Sequence, residues 1–302
     1  MSVNFNATYP WNAIESVTID GEAMVKIPKF YVKHHIPSTG DYAGKKCWEI
    51  SQEKVDDTWH CHPAFMLNGQ EIDCFYIGAY EGYNKGSNIC GSAAGKTPWV
   101  SLGGFENAKT YCSNRGAAAG WHLQTIYERH AISLLFLLEY GHPNAQTAIG
   151  AGNVNSSAAV STGSTNAVYR GMHELWGNVW EHVDGIKGDG SGNILIWDNK
   201  GNHTYKTTGK KPVGTHGQFI LDTLSDKGTD FDFGDVFIPG STAAEGSATY
   251  PDVYYGLAND FVLYVSGDWY NGTKCGLFTF YVSRGVSNSN SNFGLRLAKY
   301  PS

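Results

Sequence analysis

The chain has 302 residues and a formal net charge of −6, and 41% of its residues are hydrophobic while only 17% are charged. This composition supports one large core or two modest ones, with a surface built largely from Asn, Ser, Thr, Gly and Tyr. The acidic balance and the absence of Lys or Arg runs longer than two disfavour nucleic acid as a partner. No stretch approaches the roughly 18–20 apolar residues of a membrane span, so we expect no membrane insertion.

The N-terminus and the cysteines bear on the compartment. Residues 1–20 lack a basic region followed by an apolar one, so we expect no secretory signal. The six cysteines show no CxxC spacing, which favours free thiols packed as small apolar groups, although disulfides stay open if the protein works outside a cell. They are Cys47, Cys61, Cys74, Cys90, Cys112 and Cys275. His60-Cys61-His62 could place two ligands on one strand face, but no second close pair accompanies it, so a metal site there is disfavoured.

The first third of the chain is predicted to be mostly β. Val17 and Ile19 alternate with polar residues before an Asp20-Gly21 turn, which is typical of a hairpin. Residues 24–35 are predicted as a strand broken at Pro28, and residues 71–83 as a further strand.

Two helices are predicted next. Residues 105–115 repeat apolar side chains at helical spacing and stop before Gly116. The second helix begins at Thr125, with Glu128 completing a capping box, and ends at Gly141. Apolar residues nearly encircle this second helix, which predicts that it is buried.

The rest of the chain has a weaker pattern. Residues 141–265 are rich in Gly, Asn, Ser and Thr, and we expect long irregular inserts there. Alternation returns near residue 277, which predicts that Phe278, Phe280 and Val282 face inward while the residues between them face outward.

Motifs of common enzymes do not single out a catalytic residue. "GSAAGKTPW" (91–99) has three residues between its glycines, whereas a phosphate-binding P-loop has four, and Pro98 stands where the helix would begin. The sequence has no G-x-S-x-G nucleophile elbow. We therefore predict no catalytic residues.

"ELWGNVWEHVDG" (174–185) is more specific. Gly177 permits a tight turn, the two tryptophans can anchor it, and acidic groups lie near freed carbonyls. Such a set of oxygen ligands suits a hard cation. The alternative, that Glu181 only accepts hydrogen bonds from backbone amides, stays open at this point.

"GNVWE" within this stretch resembles the signature of the formylglycine-generating enzyme family, which is related to the C-type lectin fold. The residues 108–120, "WHLQT" with Glu128, "SGDW" (266–269) and "FGLRLA" resemble further parts of that family in the same order, from about residue 70 to 298. The resemblance implies an α+β, C-type-lectin-like fold with two helices packed on small twisted sheets. We assign residues 21–302 to this domain and residues 1–20 to an N-terminal arm or strand.

The same resemblance implies a structural calcium ion, with no other cofactor required. Its ligands would be the side chains of Glu174 and Glu181 and the carbonyls of Gly177 and Val179. Glu174 stands where the calcium-binding relatives commonly have asparagine.

Oxidase chemistry is not expected. Asn271 and Gly276 stand where the formylglycine-generating enzymes carry their two catalytic cysteines, and Cys275 lies one position away without a partner nearby. We therefore predict that the protein is not an enzyme.

"GDWYNGTKCGLFTFYVSRGVSNSNSNFGLRLA" resembles the variable region of proteins diversified by retroelements, among them phage tropism determinants and bacterial surface proteins. In that group, adenine-directed mutagenic copying rewrites chosen codons, and asparagine codons are favoured substrates. The resemblance implies a variable region at about residues 266–298, in which Lys274 is fixed because such copying cannot produce lysine. The ligand-binding residues predicted to project are Asp268, Tyr270, Asn271, Thr273, Thr279, Tyr281, Ser283, Arg284 and Gly285.

The function implied is ligand binding through a diversified surface. The expected partner is a protein or glycan receptor on a target cell, and the expected setting is a phage tail or another extracellular surface. The N-terminal "VTIDGEAMVKIPKFYVK" resembles segments of phage tail proteins, which suggests virion attachment through the N-terminus; homo-oligomerisation is left open. The alternatives are a bacterial surface adhesin or, less favoured, an oxidase. A calcium-dependent lectin is disfavoured because neither a Glu-Pro-Asn nor a Gln-Pro-Asp triplet occurs.

Overall fold

The computed structural model of the protein describes residues 3–301 and is mixed α+β, as predicted. The α-helices are α1 (Phe105–Ser113), α2 (Ile126–Tyr140) and α3 (Ala145–Ala148). The strands are, in chain order, β1 (Glu15–Ile19), β2 (Glu22–Pro28), β3 (Tyr31–His35), β4 (Cys47–Ser51), β5 (His60–Cys61), β6 (Met66–Leu67), β7 (Gln70–Glu71), β8 (Cys74–Gly78), β9 (Tyr83–Asn84), β10 (Cys90–Gly91), β11 (Trp121–Leu123), β12 (Val168–Tyr169), β13 (Met172–His173), β14 (Trp180–Gly188), β15 (Ile194–Trp197), β16 (Tyr205–Thr207), β17 (Gln218–Thr223), β18 (Pro239–Ala243), β19 (Val253–Gly256), β20 (Val262–Val265), β21 (Phe280–Val282), β22 (Phe293–Gly294) and β23 (Leu297–Lys299).

A five-stranded sheet joins the two ends of the chain in the order β1-β2-β8-β23-β11. Asp20 and Gly21 have positive φ angles of 50° and 80°, which allows the tight turn between β1 and β2. The predicted domain boundary at residue 20 falls in this turn. Upstream of it, Trp11 is buried and its indole Nε1 donates to Leu135 O at 3.2 Å, so the N-terminal residues pack on α2.

A second sheet has nine strands in the order β16-β15-β14-β20-β21-β19-β17-β18, with β22 pairing in parallel with β14. The prediction that 141–265 forms long irregular inserts is wrong for much of this range, which supplies most of these strands. The sheet is also larger than predicted. Most of its strands are short, and the pairs β14–β20, β14–β22 and β19–β21 join segments that lie far apart in sequence, so local alternation is weak even where the pairing is regular.

Helix α2 follows its predicted signals. Thr125 Oγ1 accepts from the Glu128 amide at 3.2 Å, and the Glu128 carboxylate accepts from the Thr125 amide at 2.8 Å, completing the capping box. Gly141 ends the helix with a left-handed φ of 69°. Residues 126–136 are all buried, so the prediction of a buried helix is confirmed. Helix α1 ends at Ser113, two residues before the predicted end at 115.

The break predicted at Pro28 is confirmed. Strand β2 ends there, and β3 belongs to a separate three-stranded sheet of order β4-β3-β5. All six cysteines are free. Among residues 3–301, the helices are too short or too polar to cross a bilayer.

Candidate ligand-binding surface

The strand register places a group of aromatic side chains on one face of the nine-stranded sheet. Tyr281 on β21 pairs with Tyr264 on β20 on one side and with Tyr255 on β19 on the other. Tyr264 also pairs with His182, two residues beyond Trp180 on β14. Directly paired residues, and residues two apart on a strand, share a face, so these rings converge.

We call this group the aromatic floor and define it as Trp180, Tyr255, Tyr264, Tyr281 and Phe293. The Tyr281 ring centroid lies 4.9 Å from that of Trp180 and 5.5 Å from that of Tyr255, and Tyr264 stacks on Phe293 at 4.2 Å. Trp180, Tyr264 and Phe293 are buried, whereas Tyr255 and Tyr281 are half-buried. The aromatic floor is therefore closely packed at its three buried rings and accessible to solvent at Tyr255 and Tyr281.

The tyrosines of the aromatic floor present neutral hydroxyls. Burial raises the pKa of Tyr255 and of Tyr264 to about 12. Burial also raises the pKa of Tyr281, partly offset by the neighbouring Arg284 guanidinium. The hydroxyls thus stay protonated at neutral pH and can donate as well as accept hydrogen bonds.

The Ser-Asn alternation at 287–292 is an anchored loop. The backbone carbonyls of Val286 and Asn290 accept from the amides of Phe105 and Ser101 at 2.8 and 3.0 Å. The Asn292 carbonyl accepts from the Trp180 amide at 2.8 Å. These bonds tie the loop to the start of α1 and to β14.

Side chains of this loop differ in exposure. Asn288 and Asn292 are half-buried, whereas Asn290 and the three serines are exposed. Asn288 Nδ2 donates to the Tyr264 hydroxyl at 3.3 Å, and Asn292 Nδ2 donates to Asp268 Oδ2 at 2.6 Å. Ser289 Oγ, although exposed, accepts from the Gly103 amide at 2.8 Å. Two of the three asparagines therefore hold the loop against the aromatic floor.

The turn at 266–275 is built around a buried carboxylate. Asp268 Oδ1 accepts from the Tyr270 amide at 3.0 Å, and the Asp268 amide donates to Asn271 Oδ1 at 2.7 Å. Together with its bond to Asn292, Asp268 links this turn to the Ser-Asn loop. The Tyr270 side chain, in contrast, is 81% exposed.

The nine residues predicted to project fall into three groups. The exposed ones are Tyr270, Thr273 and Arg284; the half-buried ones are Asn271, Tyr281 and Gly285; the buried ones are Asp268, Thr279 and Ser283. Outward projection is therefore wrong for the last three.

The error has a local cause. The predicted alternation needs a regular strand from residue 278, but β21 begins only at Phe280. Thr279 lies in the turn before the strand, where its Oγ1 accepts from the Gly276 amide at 2.7 Å. Ser283 lies just after the strand, with its Oγ 3.4 Å from Nδ1 of the exposed His216.

Sequence reasoning missed several residues of this surface. Asn288 and Asn292 belong to the Ser-Asn alternation, but the exposed Asn290 shows that the alternation alone does not identify the asparagines that face inward. Tyr264 follows the apolar pattern of "VLYV". Tyr255 and His216 come from the part predicted to be irregular and carried no local signal.

The residues predicted to bind calcium have protein partners instead. Glu181 Oε1 accepts from Arg296 Nη2 at 2.6 Å and Nε at 2.8 Å, and its Oε2 accepts from Gln124 at 2.7 Å. The Glu174 carboxylate accepts from the Gly163 amide at 3.0 Å and from the Thr165 hydroxyl at 3.1 Å. The buried Arg296 guanidinium thus supplies the positive charge beside Glu181, and this arrangement does not fit a calcium ion.

The other two predicted calcium ligands, Gly177 and Val179, lie in the turn just before β14. Gly177 has a φ of 76°, and a Cβ there would lie 2.8 Å from Asn153 O, so the position requires glycine. The Val179 amide donates to the buried Glu81 carboxylate at 3.2 Å. Burial, followed by the charges of Glu181 and Glu174, raises the pKa of Glu81 well above its usual value.

We expect calcium to leave the stability unchanged. Because Arg296 already balances the charge of Glu181, millimolar calcium added to metal-free protein should not move the melting temperature. Differential scanning calorimetry with magnesium as the control measures this. A calcium-specific rise of several degrees would show that the carboxylates exchange their protein donors for the ion.

The positions of the catalytic cysteines in formylglycine-generating enzymes have different roles here. Asn271 caps the Asp268 amide, as described above. A Cβ at Gly276 would lie 2.2 Å from Oδ1 of the buried Asp252, so the Asp252 side chain occupies the space that a cysteine there would need. This geometry is unsuited to a thiolate pair.

The comparisons with known proteins give likeness at the level of solved structures. No family model matches the sequence, and no curated protein sequence matches it. PvdO from Pseudomonas aeruginosa matches with a TM-score of 0.44 and 12% identity, over 95% of this chain and 97% of that chain. Treponema denticola variable protein 1 matches with a TM-score of 0.40 and 12% identity, over 95% and 99%. The Major Tropism Determinant I1 variant matches with 0.39 and 11%, over 95% and 85%.

A variable protein and a tropism determinant, the kinds of protein that the C-terminal motifs resemble, are thus among these structures. What this chain binds is inferred below from its own residues.

Proposed function

We propose that this chain is a ligand-binding protein in which residues 266–298 carry a surface diversified by a retroelement. The observation that supports this most is the separation of anchored backbone from free side chains. Asp268, Asn292 and the backbone of the Ser-Asn loop are held by hydrogen bonds, whereas Tyr270, Arg284 and the loop residues Ser287 and Ser291 face solvent. Side chains of the second kind can be exchanged without loss of the fold.

The chemistry of the free side chains suits recognition. Tyr270 offers a large amphipathic ring at low cost in conformational entropy, and Arg284 offers a charged, planar donor group. The serines of the loop offer small adaptable hydrogen-bonding groups. Beside them, the half-buried edge formed by Tyr255 and Tyr281 supplies apolar contact area next to neutral hydroxyls.

The proposed partner is a protein or glycan receptor on the surface of a target cell, and the proposed setting is a phage tail. Binding by a few polar and aromatic contacts is weak at a single site, so display in several copies would raise the affinity through avidity. A bacterial surface adhesin would use the same residues in the same way.

Binding to whole bacterial cells tests this proposal. We expect fluorescently labelled, multimerised protein to bind a subset of a strain panel, and Tyr270→Ala with Arg284→Ala to reduce that binding at least about tenfold, since Tyr and Arg dominate interface energies. Tyr42→Ala is the matched control, because Tyr42 is 64% exposed and lies far from the segment in sequence. Melting temperatures of all variants should agree. Failure to bind any strain, or equal binding by the double variant, would contradict the proposal.

A further inference from the structure

His34, His60 and Asp235, which all lie outside the variable region, come together in the folded chain. Strand β3 pairs with β5 in antiparallel register, with Val32 opposite His60. His34 lies two residues beyond Val32, so both imidazoles are on the same face of the three-stranded sheet. Their ring centroids are 5.6 Å apart.

A short turn brings acidic groups over that face. Asp232 caps the 3-10 turn Phe233–Asp235 by accepting from the Gly234 amide at 3.0 Å. Trp48, which pairs with His34 on β4, donates from its indole nitrogen to Gly234 O at 2.8 Å and fixes the turn against the sheet. A Cβ on Gly234 would lie 2.3 Å from the His34 ring, so glycine is needed for this close approach.

The three ligand atoms are already close to metal-binding distances. His60 Nε2 lies 2.8 Å from Asp235 Oδ1, and His34 Nε2 lies 3.8 Å from the same oxygen. One atom from each of the three residues falls within 4.8 Å of the others. A tetrahedral Zn²⁺ with ligands at about 2.0–2.1 Å has ligand atoms about 3.3 Å apart, so a cation fits with small movements of the side chains.

One of the two imidazole nitrogens, His34 Nε2, lacks a hydrogen-bond partner among residues 3–301. His34 Nε2 is buried and, within the described chain, makes no well-aligned hydrogen bond, although Asp232 Oδ1 lies only 3.3 Å away. Asp232 also pairs with Lys227 at 2.8 Å, which balances one of the two carboxylate charges. Asp235 lies within 2.8 and 3.0 Å of His60 Nε2 through its two carboxylate oxygens, and within residues 3–301 no lysine or arginine pairs with it, so a cation between Asp235 and the imidazoles would balance its charge.

We propose that His34, His60 and Asp235 form a binding site for a divalent transition metal of the Zn²⁺ class. Zn²⁺ accepts imidazole and carboxylate ligands together, whereas Ca²⁺ and Mg²⁺ prefer oxygen ligands alone, so the two imidazoles favour the Zn²⁺ class. Asp232 and Trp48 act as positioning residues through the turn. His60 and Asp235 also line a polar cavity of about 440 Å³, from which water could complete the coordination.

The site joins two segments that are distant in the chain, the β3–β5 sheet and the 232–235 turn. A metal bound there holds these segments together only in the folded protein. The proposal therefore predicts that zinc raises the melting temperature as well as binding stoichiometrically.

Calorimetric titration of the metal-free, reduced full chain with Zn²⁺ tests the proposal. We expect one tight zinc per chain, a fall in affinity of at least about 100-fold in His34→Asn/His60→Asn, and native affinity in His35→Asn. His35 is the matched control because it is the next residue on β3 and lies on the other face, paired with Glu49 at 3.5 Å. Asp235→Asn is the second variant if the double variant fails to fold by circular dichroism.

Co²⁺ reports which atoms bind. We expect the visible absorption of four-coordinate cobalt without a near-ultraviolet thiolate band, since the proposed set has no cysteine. The proposal is overturned if the native protein binds no zinc, if the ligand variants bind with unchanged stoichiometry and affinity, or if a thiolate band places the metal on cysteine instead.

Discussion

Replacing Arg296 by methionine is expected to lower the free energy of unfolding by about 3–5 kcal/mol, because the change leaves the Glu181 carboxylate buried without its cation. Both side chains have 0% exposure. Arg296 also donates to the backbone carbonyls of Gly78, His173 and Glu174 at 2.8–3.0 Å, which lose their donor. Urea-induced unfolding followed by tryptophan fluorescence measures the difference.

Two further variants test whether the loss comes from the unpaired buried charge. Arg284→Met removes the same charge from an exposed position, and we expect a change within about 0.5 kcal/mol. Glu181→Leu combined with Arg296→Met should be less damaging than the sum of the two single changes, because neither charge is then left unpaired. A loss below about 1 kcal/mol for Arg296→Met would show that the Arg296–Glu181 ion pair contributes little to the stability of the fold.

The second large effect is expected at the buried polar residues of the variable segment. Asp268→Ala should cost about 1–3 kcal/mol, because the Tyr270 amide and the Asn292 side chain both lose their acceptor. Thr279→Val keeps the volume but removes the acceptor for the Gly276 amide, and a loss of similar size is expected. Thermal and urea unfolding of the purified variants measure both.

The matched control is Tyr270→Ala, two residues from Asp268 but 81% exposed. Its stability should lie within about 0.5 kcal/mol of the native protein. If Asp268→Ala and Thr279→Val were as neutral as Tyr270→Ala, these positions would be as free to vary as first predicted, and the division into supporting and free residues would be wrong.

Helix α2 and both its ends could be predicted from sequence because their determinants are local. The Thr125–Glu128 capping box and the Gly141 end of α2 each depend on residues within one turn of each other. The β1–β2 hairpin likewise follows from Asp20-Gly21 and the alternation before it. These signals survive without knowledge of distant partners.

The nine-stranded sheet could not be predicted because its determinants are distant. Strand β14 has a central place in that sheet, yet "WEHVDGIKG" shows no alternation: Glu181, His182 and Asp184 are buried beside apolar residues. Glu181 is paired with Arg296, and Asp184 accepts from the Tyr205 hydroxyl at 2.8 Å, so both depend on partners elsewhere in the chain. The burial of a polar side chain cannot be predicted from sequence until the partner that compensates its burial is known.

The candidate site was predictable in position and only partly in detail. The Ser-Asn run and its neighbours indicated the segment, and Tyr270, Thr273 and Arg284 are exposed as predicted. A simple strand alternation then failed at Thr279, which lies outside β21. The proposed metal site was hidden in the sequence for a related reason: the neighbour of His60 in sequence is His62, whereas its neighbours in space are His34 and Asp235.

The most direct test of the diversified surface is to sequence the gene, and any near-identical template copy beside it, in many natural isolates. We predict adenine-directed substitutions concentrated in the codons of exposed residues within 266–298, such as Tyr270, Thr273 and Arg284. The codons of Arg296 and Trp180, which hold the frame, should be invariant. Substitutions spread evenly along the gene, or as frequent at Trp180 and Arg296 as at Tyr270, would contradict the account.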